Sequence, residues 1–242
     1  MEINDMYRIK VAVLDTGFEP VGKAFKDTVY EDVFGDGDNF GHGTKVISTI
    51  ASNLSLTQQM VKIYNLRIFD KDKTTGDKVL KALDWCEKNR MDVINMSLGM
   101  EFVSKEISDR LFKLSEKSIL VVASGNEYEK YPDVMLFPAN LPCTIAVGSC
   151  DKNYNISSFS QRGFGLDLLS LGENVKTINH NGLTEYVNGT SFACPRVTSL
   201  IANILFQHVS HMMPFERSKE NILNYMLQSN LIVQKNNYVI CK

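Results

Sequence analysis

A serine stands in the middle of Asn188-Gly189-Thr190-Ser191-Phe192-Ala193-Cys194-Pro195. Apolar residues follow it at helical spacing: Ala193, Val197, Leu200, Ile201, Ile204 and Leu205. The spacing predicts a buried helix with Ser191 in its first turn, its hydroxyl at the positive end of the helix dipole. Taken alone, Gly-Thr-Ser reads as well as an ordinary helix cap. Its meaning changes with two residues upstream. Asp15 closes an apolar run and precedes Thr16-Gly17, and His42 lies between Gly41 and Gly43 where another helical stretch begins. A serine hydroxyl attacks poorly until a base takes its proton. Histidine titrates in the right range to be that base, and a buried carboxylate fixes its tautomer and stabilises the imidazolium. Asp15, His42 and Ser191 are therefore the parts of a nucleophilic acyl-transfer site. Singly, Asp15 is also readable as a turn carboxylate and His42 as a satisfied polar residue.

The elements that must position these residues follow from the apolar pattern. Residues 10–14 read as a buried strand with Asp15 at its C-terminal edge, where ligands sit in open α/β sheets. Residues 34–39 (Phe-Gly-Asp-Gly-Asp-Asn) lack the length and terminal glutamate of a calcium loop and are expected to be surface turn. A helix is expected from His42, a strand over 61–69 and a charged loop over 70–76. Val79, Leu80, Ala82, Leu83 and Cys86 mark a helix ending near Asn89. Further strands are expected over 91–96, 118–123 and 143–148. Val103, Ile107, Leu111 and Leu114 mark another helix, and residues 216–228 a closing one with Ile222, Leu223 and Met226 inward. Strands alternating with helices imply a largely parallel sheet covered on both faces, a three-layer α/β/α arrangement. No repeat or linker interrupts residues 1–242, so a single domain is expected. An aspartic protease is excluded, since the chain has one Asp-Thr-Gly and that chemistry needs two carboxylates sharing a proton.

Composition narrows the class further. With 44% apolar and 22% charged residues the chain suits a globular enzyme, and a net charge of −2 gives no reason to expect nucleic acid or an anionic membrane as partner. No apolar run approaches the roughly 18 residues of a membrane span. Met1-Glu2-Ile3-Asn4-Asp5-Met6-Tyr7-Arg8 has neither the basic nor the apolar region of a secretory signal. Five cysteines, Cys86, Cys143, Cys150, Cys194 and Cys241, occur in no CxxC or CxxH pair, which points to reduced thiols and a cytoplasmic location rather than disulfides or zinc.

Eight segments, in order, carry a resemblance. They are Val13-Leu14-Asp15-Thr16-Gly17, Gly41-His42-Gly43-Thr44, Asp92-Val93-Ile94-Asn95-Met96-Ser97-Leu98-Gly99 and Ala123-Ser124-Gly125-Asn126. The others are Phe137-Pro138-Ala139, Ile145-Ala146-Val147-Gly148-Ser149, Ser158-Phe159-Ser160 and Gly189-Thr190-Ser191-Phe192-Ala193-Cys194-Pro195. From about Lys10 to about Gln228 the chain resembles the subtilisin-like serine proteases, whose triad runs in the order Asp, His, Ser. The resemblance implies a subtilisin-like fold and a serine endopeptidase without a cofactor. By resemblance Ser191 is the nucleophile, His42 the general base and then acid, and Asp15 the orienting carboxylate. The Asn126 amide and Ser191 N–H form the oxyanion hole. Ser97, Leu98 and Gly99 would pair with an extended peptide, and Ala123, Ser124 and Gly125 would wall the pocket for the residue before the scissile bond (P1).

Departures from the family set the finer expectations. About nine residues precede the Asp15 strand: either the sequence starts at a processed or cloned end, or the protease folds without a built-in inhibitor and restraint is expected from a narrow pocket, a partner protein or a separate inhibitor. The segment 51–60 is too short and carries no carboxylate for the family's tight calcium site, and no metal is expected. Cys194 and Arg196 replace a small residue and a histidine. Cys194 is expected to pack, with sensitivity to thiol reagents left open. For P1, Glu127, Glu129 and Asp133 favour a basic residue, whereas Leu136, at the expected pocket floor, favours an apolar one. That choice stays open. The reading is an intracellular endopeptidase of restricted specificity that matures a precursor peptide or partner protein. A catalytically silent peptide-binding subunit and a broad degradative protease are the alternatives.

Overall fold

The computed structural model describes residues 8–22, 25–35, 37–54, 59–70, 73–101, 104–211, 215–235 and 238–241. The strands are β1 (Ile9–Asp15), β2 (Val29–Phe34), β3 (Val61–Arg67), β4 (Val93–Met96), β5 (Ile119–Ala123), β6 (Ile145–Cys150), β7 (Leu168–Leu171), β8 (Val175–Ile178), β9 (Thr184–Val187), β10 (Ile232–Lys235) and β11 (Tyr238–Cys241). The helices are α1 (His42–Leu54), α2 (Gly76–Asn89), α3 (Lys105–Ser115), α4 (Thr190–Ser210) and α5 (Lys219–Gln228).

Among the described residues, nine strands form one sheet in the order β10-β11-β7-β6-β5-β4-β1-β3-β2, and β8 and β9 form a separate hairpin. Every pairing in the large sheet is parallel except β10 with β11. From β1 the chain first lays down the edge strand β2, then inserts β3 between β2 and β1, and finally crosses back to lay β4 on the other side of β1. Strand order therefore reverses between β1 and β4. The crevice at such a reversal, beyond the C-terminal strand ends, is where α/β sheets hold ligands.

Side chains alternate along each strand, so one strand feeds two cores. Val11 and Val13 of β1 and Val121 of β5 pack on one face with Val46, Ile47, Ile50, Val197 and Ile201 of α1 and α4. Ala12, Leu14, Ile94 and Leu120 pack on the other with Val79, Leu83, Ile107 and Leu111 of α2 and α3. Polar caps start the outer helices: Thr75 Oγ1 accepts the Lys78 N–H, and Ser104 Oγ accepts that of Ile107. Among the described residues, no helix is long and apolar enough to cross a membrane.

The expected layers, parallel sheet and principal helices are all present. Strand 143–148 lies two residues later, at Ile145–Cys150. Val103 of the expected third helix lies outside the described residues, as do 55–58 of the segment where the calcium insertion would fall. Strands β2 and β7 to β11 were not anticipated. All are four to six residues long, and β2 buries nothing completely, so little apolar alternation announces them. The surface-turn expectation for 34–39 needs a larger correction. Phe34 ends β2, Asp36 is outside the described residues, and Asp38 is only 2% exposed.

Candidate active site

Two chain segments deliver the carboxylate and the imidazole. β1 ends at Asp15, and α1 begins at His42. A β-carbon on Gly43 would overlap the Gly17 carbonyl and come within 3.2 Å of the Asp15 β-carbon, so glycine is what lets the helix start touch the strand end. Asp15 Oδ1 lies 2.7 Å from His42 Nδ1 and accepts the Thr16 N–H at 2.7 Å. The carboxylate is 2% exposed, the imidazole 29%, which leaves the ring's other edge open to the cleft. Burial opposes charging His42, but the Asp15 charge and hydrogen bond outweigh it and hold the imidazole pKa above the ordinary 6.5.

Asp38 holds the two segments in register. Its Oδ1 accepts the Thr16 hydroxyl at 2.8 Å and the Gly41 N–H at 2.7 Å, while its Oδ2 accepts the Thr44 N–H at 2.8 Å and hydroxyl at 2.7 Å. The Thr16 hydroxyl in turn accepts the Gly43 N–H at 2.8 Å. Helix starts leave N–H groups without partners, and α1 has no acidic residue in its first turn, so a carboxylate from the preceding loop supplies them. Burial would raise the Asp38 pKa, but these hydrogen bonds outweigh it and hold the carboxyl below the ordinary 3.8.

The serine stands across the sheet reversal. Gly189 is the N-cap of α4 and has no side chain of its own to cap it, so Ser191 is not the cap that Gly-Thr-Ser alone would suggest. Pro195 lies inside the helix and has no N–H to give the Ser191 carbonyl. Ser97, just past β4, fills the gap: its hydroxyl donates to that carbonyl at 2.9 Å. Ser191 Oγ donates at 3.3 Å to the Ser97 carbonyl. Behind them Asn95, fully buried, joins β4 to α4: its Nδ2 donates to Ser97 Oγ at 3.1 Å and its Oδ1 accepts the Thr198 hydroxyl at 2.8 Å. Cys194 Sγ also donates to Asn95 Oδ1, at 3.4 Å. Cys194 has no solvent exposure and burial pushes its thiol pKa up, so it packs, and slow reaction with thiol reagents is expected in the folded protein.

Asn126 follows β5. Its Oδ1 accepts both the N–H and the hydroxyl of Thr190, at 2.9 and 3.0 Å, and the Thr190 hydroxyl accepts the Gly125 N–H at 3.3 Å. With the oxygen engaged, the exposed amide presents Nδ2–H beside Gly189 and the first turn of α4. Among the described residues the Ser191 N–H has no partner. The His42 ring packs 5.6 Å, centroid to centroid, from Phe192, the residue after Ser191. The structure thus brings Asp15 to His42, and Asn126 to the turn that carries Ser191. Among the described residues no hydrogen bond yet joins Ser191 Oγ to His42.

Of the residues expected to bind substrate, Ser97, Leu98, Ala123 and Ser124 are buried, Leu98 in the α2–α3 core and Ser124 with its hydroxyl on the Gln161 carbonyl at 2.8 Å. Gly99 is exposed, and among the described residues its N–H and carbonyl are unpaired. Leu136 is half-buried against Gly99 and Gly125. Glu127, Glu129 and Asp133 are exposed, and Glu127 pairs with Lys130 at 3.5 Å. Arg196 donates to Asn53 Oδ1 at 3.1 Å, away from this cleft. Among the described residues, no group of three or more His, Cys, Asp or Glu side chains could hold a metal ion. Sequence reasoning assigned no role to Asp38 or Asn95. The signal for Asn95 was available: an amide inside the apolar run Val93-Ile94-Asn95-Met96 must find partners in a buried strand.

Subtilisin BL of Lederbergia lenta is 33% identical over 208 residues, covering 80% of this chain and 75% of that protein. Subtilisin DY of Bacillus licheniformis is 30% identical over 213 residues, covering 83% and 77%. Among solved structures, the S218A mutant of the PatA protease domain superposes with a TM-score of 0.82 at 21% identity, covering 97% of this chain and 92% of that one. The prenylagaramide maturation protease PagA gives 0.80 at 22%, covering 92% and 84%. A cold-adapted subtilisin-like serine proteinase gives 0.79 at 23%, covering 98% and 89%. The Subtilase family profile matches residues 7–233, and with relatives of this identity and reach the chain belongs to the subtilase family of serine endopeptidases.

Proposed function

We propose that the chain cuts peptide bonds through an acyl-enzyme on Ser191. The observation that carries the assignment is the buried 2.7 Å contact between Asp15 and His42, with the α4 first turn alongside. A peptide laid along residues 97–99 adds a strand to the unpaired backbone of Gly99. In the resting state Ser191 Oγ sits on the Ser97 carbonyl, and a rotation about its Cα–Cβ bond turns it toward the open edge of His42. Such contacts are often loose before substrate binds and tighten on binding. His42 takes the hydroxyl proton as Oγ attacks, Asp15 holds the imidazolium, and Asn126 Nδ2–H and the Ser191 N–H receive the developing oxyanion. His42 then gives the proton to the leaving amine, and water repeats the cycle on the ester.

The enzyme acts inside the cell on a restricted substrate, maturing a precursor peptide or partner protein. Support comes from the five cysteines, which form no disulfide among the described residues, and from the fold likeness to structures described as prenylagaramide and patellamide maturation proteases. A fluorophosphonate probe labels the wild type, and the label vanishes in Ser191→Ala. A folded wild type that never labels overturns the assignment. Incubation with a denatured proteome separates the biological roles: one dominant cut motif for maturation, scattered cuts for degradation, and no cuts for a peptide-binding subunit.

A further inference from the structure

Two strand ends face each other where the acyl group must sit. Ser191 Oγ touches the carbonyl of Ser97 beyond β4, and the neighbouring Thr190 is held by Gly125 and Asn126 beyond β5. An acyl carbon on Ser191 Oγ, its oxygen toward Asn126, therefore lies over the gap between these two ends. A P1 side chain that turns inward enters between Gly99 and Gly125. Neither wall has a side chain of its own, so the depth of the slot is set from below.

Leu136 fills that position. Its N–H donates to the Ser124 carbonyl at 3.3 Å, and the next residue, Phe137, pairs with Met100 in both directions at 2.8 and 3.1 Å. The segment thus bridges the two strand extensions, with the Leu136 side chain rising between the walls. A β-carbon on Gly99 would lie 2.7 Å from Leu136 Cδ1, and one on Gly125 would lie 3.4 Å from the same atom. One methyl group occupies the space that the γ and δ atoms of a long P1 residue would need. Gln161 seals the Gly125 side. It is fully buried, its Nε2 donates to the Val134 carbonyl at 2.8 Å, its Oε1 accepts the Glu127 N–H at 3.4 Å, and a β-carbon on Gly125 would overlap that oxygen. The acidic residues of the loop lie outside in solvent.

We propose that Leu136 closes the slot between Gly99 and Gly125 and limits the protease to substrates with a small P1 residue: glycine, alanine or serine. Of the two choices left open by the sequence, basic or apolar, this slot favours the apolar one and restricts it to a small side chain. The proposal rests on the Ser191 acyl-enzyme reading above, and the experiment separates the two. Peptides differing only at P1 are assayed with wild type, Leu136→Ala and Leu136→Val, each variant first checked for labelling by a small fluorophosphonate.

The wild type is expected to favour Ala and Ser over Leu, Met and Phe by at least about 10-fold in kcat/KM, since one methylene is worth roughly 10–200-fold at such a pocket. Leu136→Ala is expected to raise kcat/KM for Leu and Met relative to Ala by about 10–100-fold, with Leu136→Val between. If Leu136→Ala does not fold, the smaller gain in Leu136→Val supports the proposal and its absence counts against it. A wild type that labels but cleaves after Phe or Leu as readily as after Ala overturns the slot. So do labelled variants with an unchanged P1 profile. A wild type that does not label overturns the acyl-enzyme reading itself.

Discussion

His42 is under two opposing pressures. Removal from water disfavours the imidazolium, while the Asp15 carboxylate 2.7 Å away favours it, and the carboxylate wins. The base must be neutral to accept a proton, so kcat/KM is expected to fall as pH drops through a His42 pKa above 6.5, and a pH–rate profile checks this. The same shift acts on stability in the opposite sense. A raised pKa stabilises the folded state fully below the unfolded value of 6.5, and the contribution is lost as pH rises through the folded value. Asp15→Asn is expected to cost about 10⁴-fold in kcat, because the amide loses both the charge and the hold on the correct tautomer. Asp15 and His42 could be singled out in the sequence, Asp15 where an apolar run stops and His42 where a helical pattern starts.

At the level of elements, the Asp15–His42 contact depends on how a strand end meets a helix start, and Asp38 fixes that meeting. Asp38→Ala removes an acceptor from two hydroxyls and the N–H groups of Gly41 and Thr44. Unfolding stability is expected to fall by about 2–4 kcal/mol, read by chemical denaturation, with kcat/KM lowered as the register loosens. The Asp38 pKa lies below 3.8, so its contribution is present above that value and is lost as pH falls through the folded one. Acid unfolding of Asp38→Ala is therefore expected to depend less steeply on pH than that of the wild type. Sequence reasoning placed Asp38 in a surface turn because glycine- and aspartate-rich loops usually are surface turns. That α1 starts inside the protein, with N–H groups to satisfy, is a fact of packing. Ser97 is a like case: the carbonyl that Pro195 leaves without a donor is visible in the sequence, but the hydroxyl that answers it comes from 94 residues earlier.

Across the whole molecule, the reversal of strand order between β1 and β4 gathers the ends of β1, β4 and β5 and the starts of α1 and α4 into one crevice. The same close-packed layers govern the thiols. Cys86, Cys150, Cys194 and Cys241 are buried and Cys143 is half-buried. Burial pushes Cys150 and Cys241 up to about 11, and raises the others as well. In a thiol titration at neutral pH the native protein is expected to react slowly and first at Cys143, and all five cysteines to react once it is denatured. Fluorophosphonate labelling of Ser191 is expected to survive the native treatment, because Cys194 is out of reach.

The sequence alone determined the α/β class and the main strands and helices, and it singled out the residues proposed for acyl transfer. These rest on local pattern: apolar periodicity, glycine beside a reactive residue, and side-chain chemistry. Tertiary structure decided what depends on distance between remote segments. It placed Asp38 against Thr16 and Thr44, gave the Ser191 carbonyl its partner in Ser97, and set Leu136 between Gly99 and Gly125. The physical reason is that a hydrogen bond or a steric limit forms across a few ångströms of space. The linear order of residues does not fix such distances until the layers have packed.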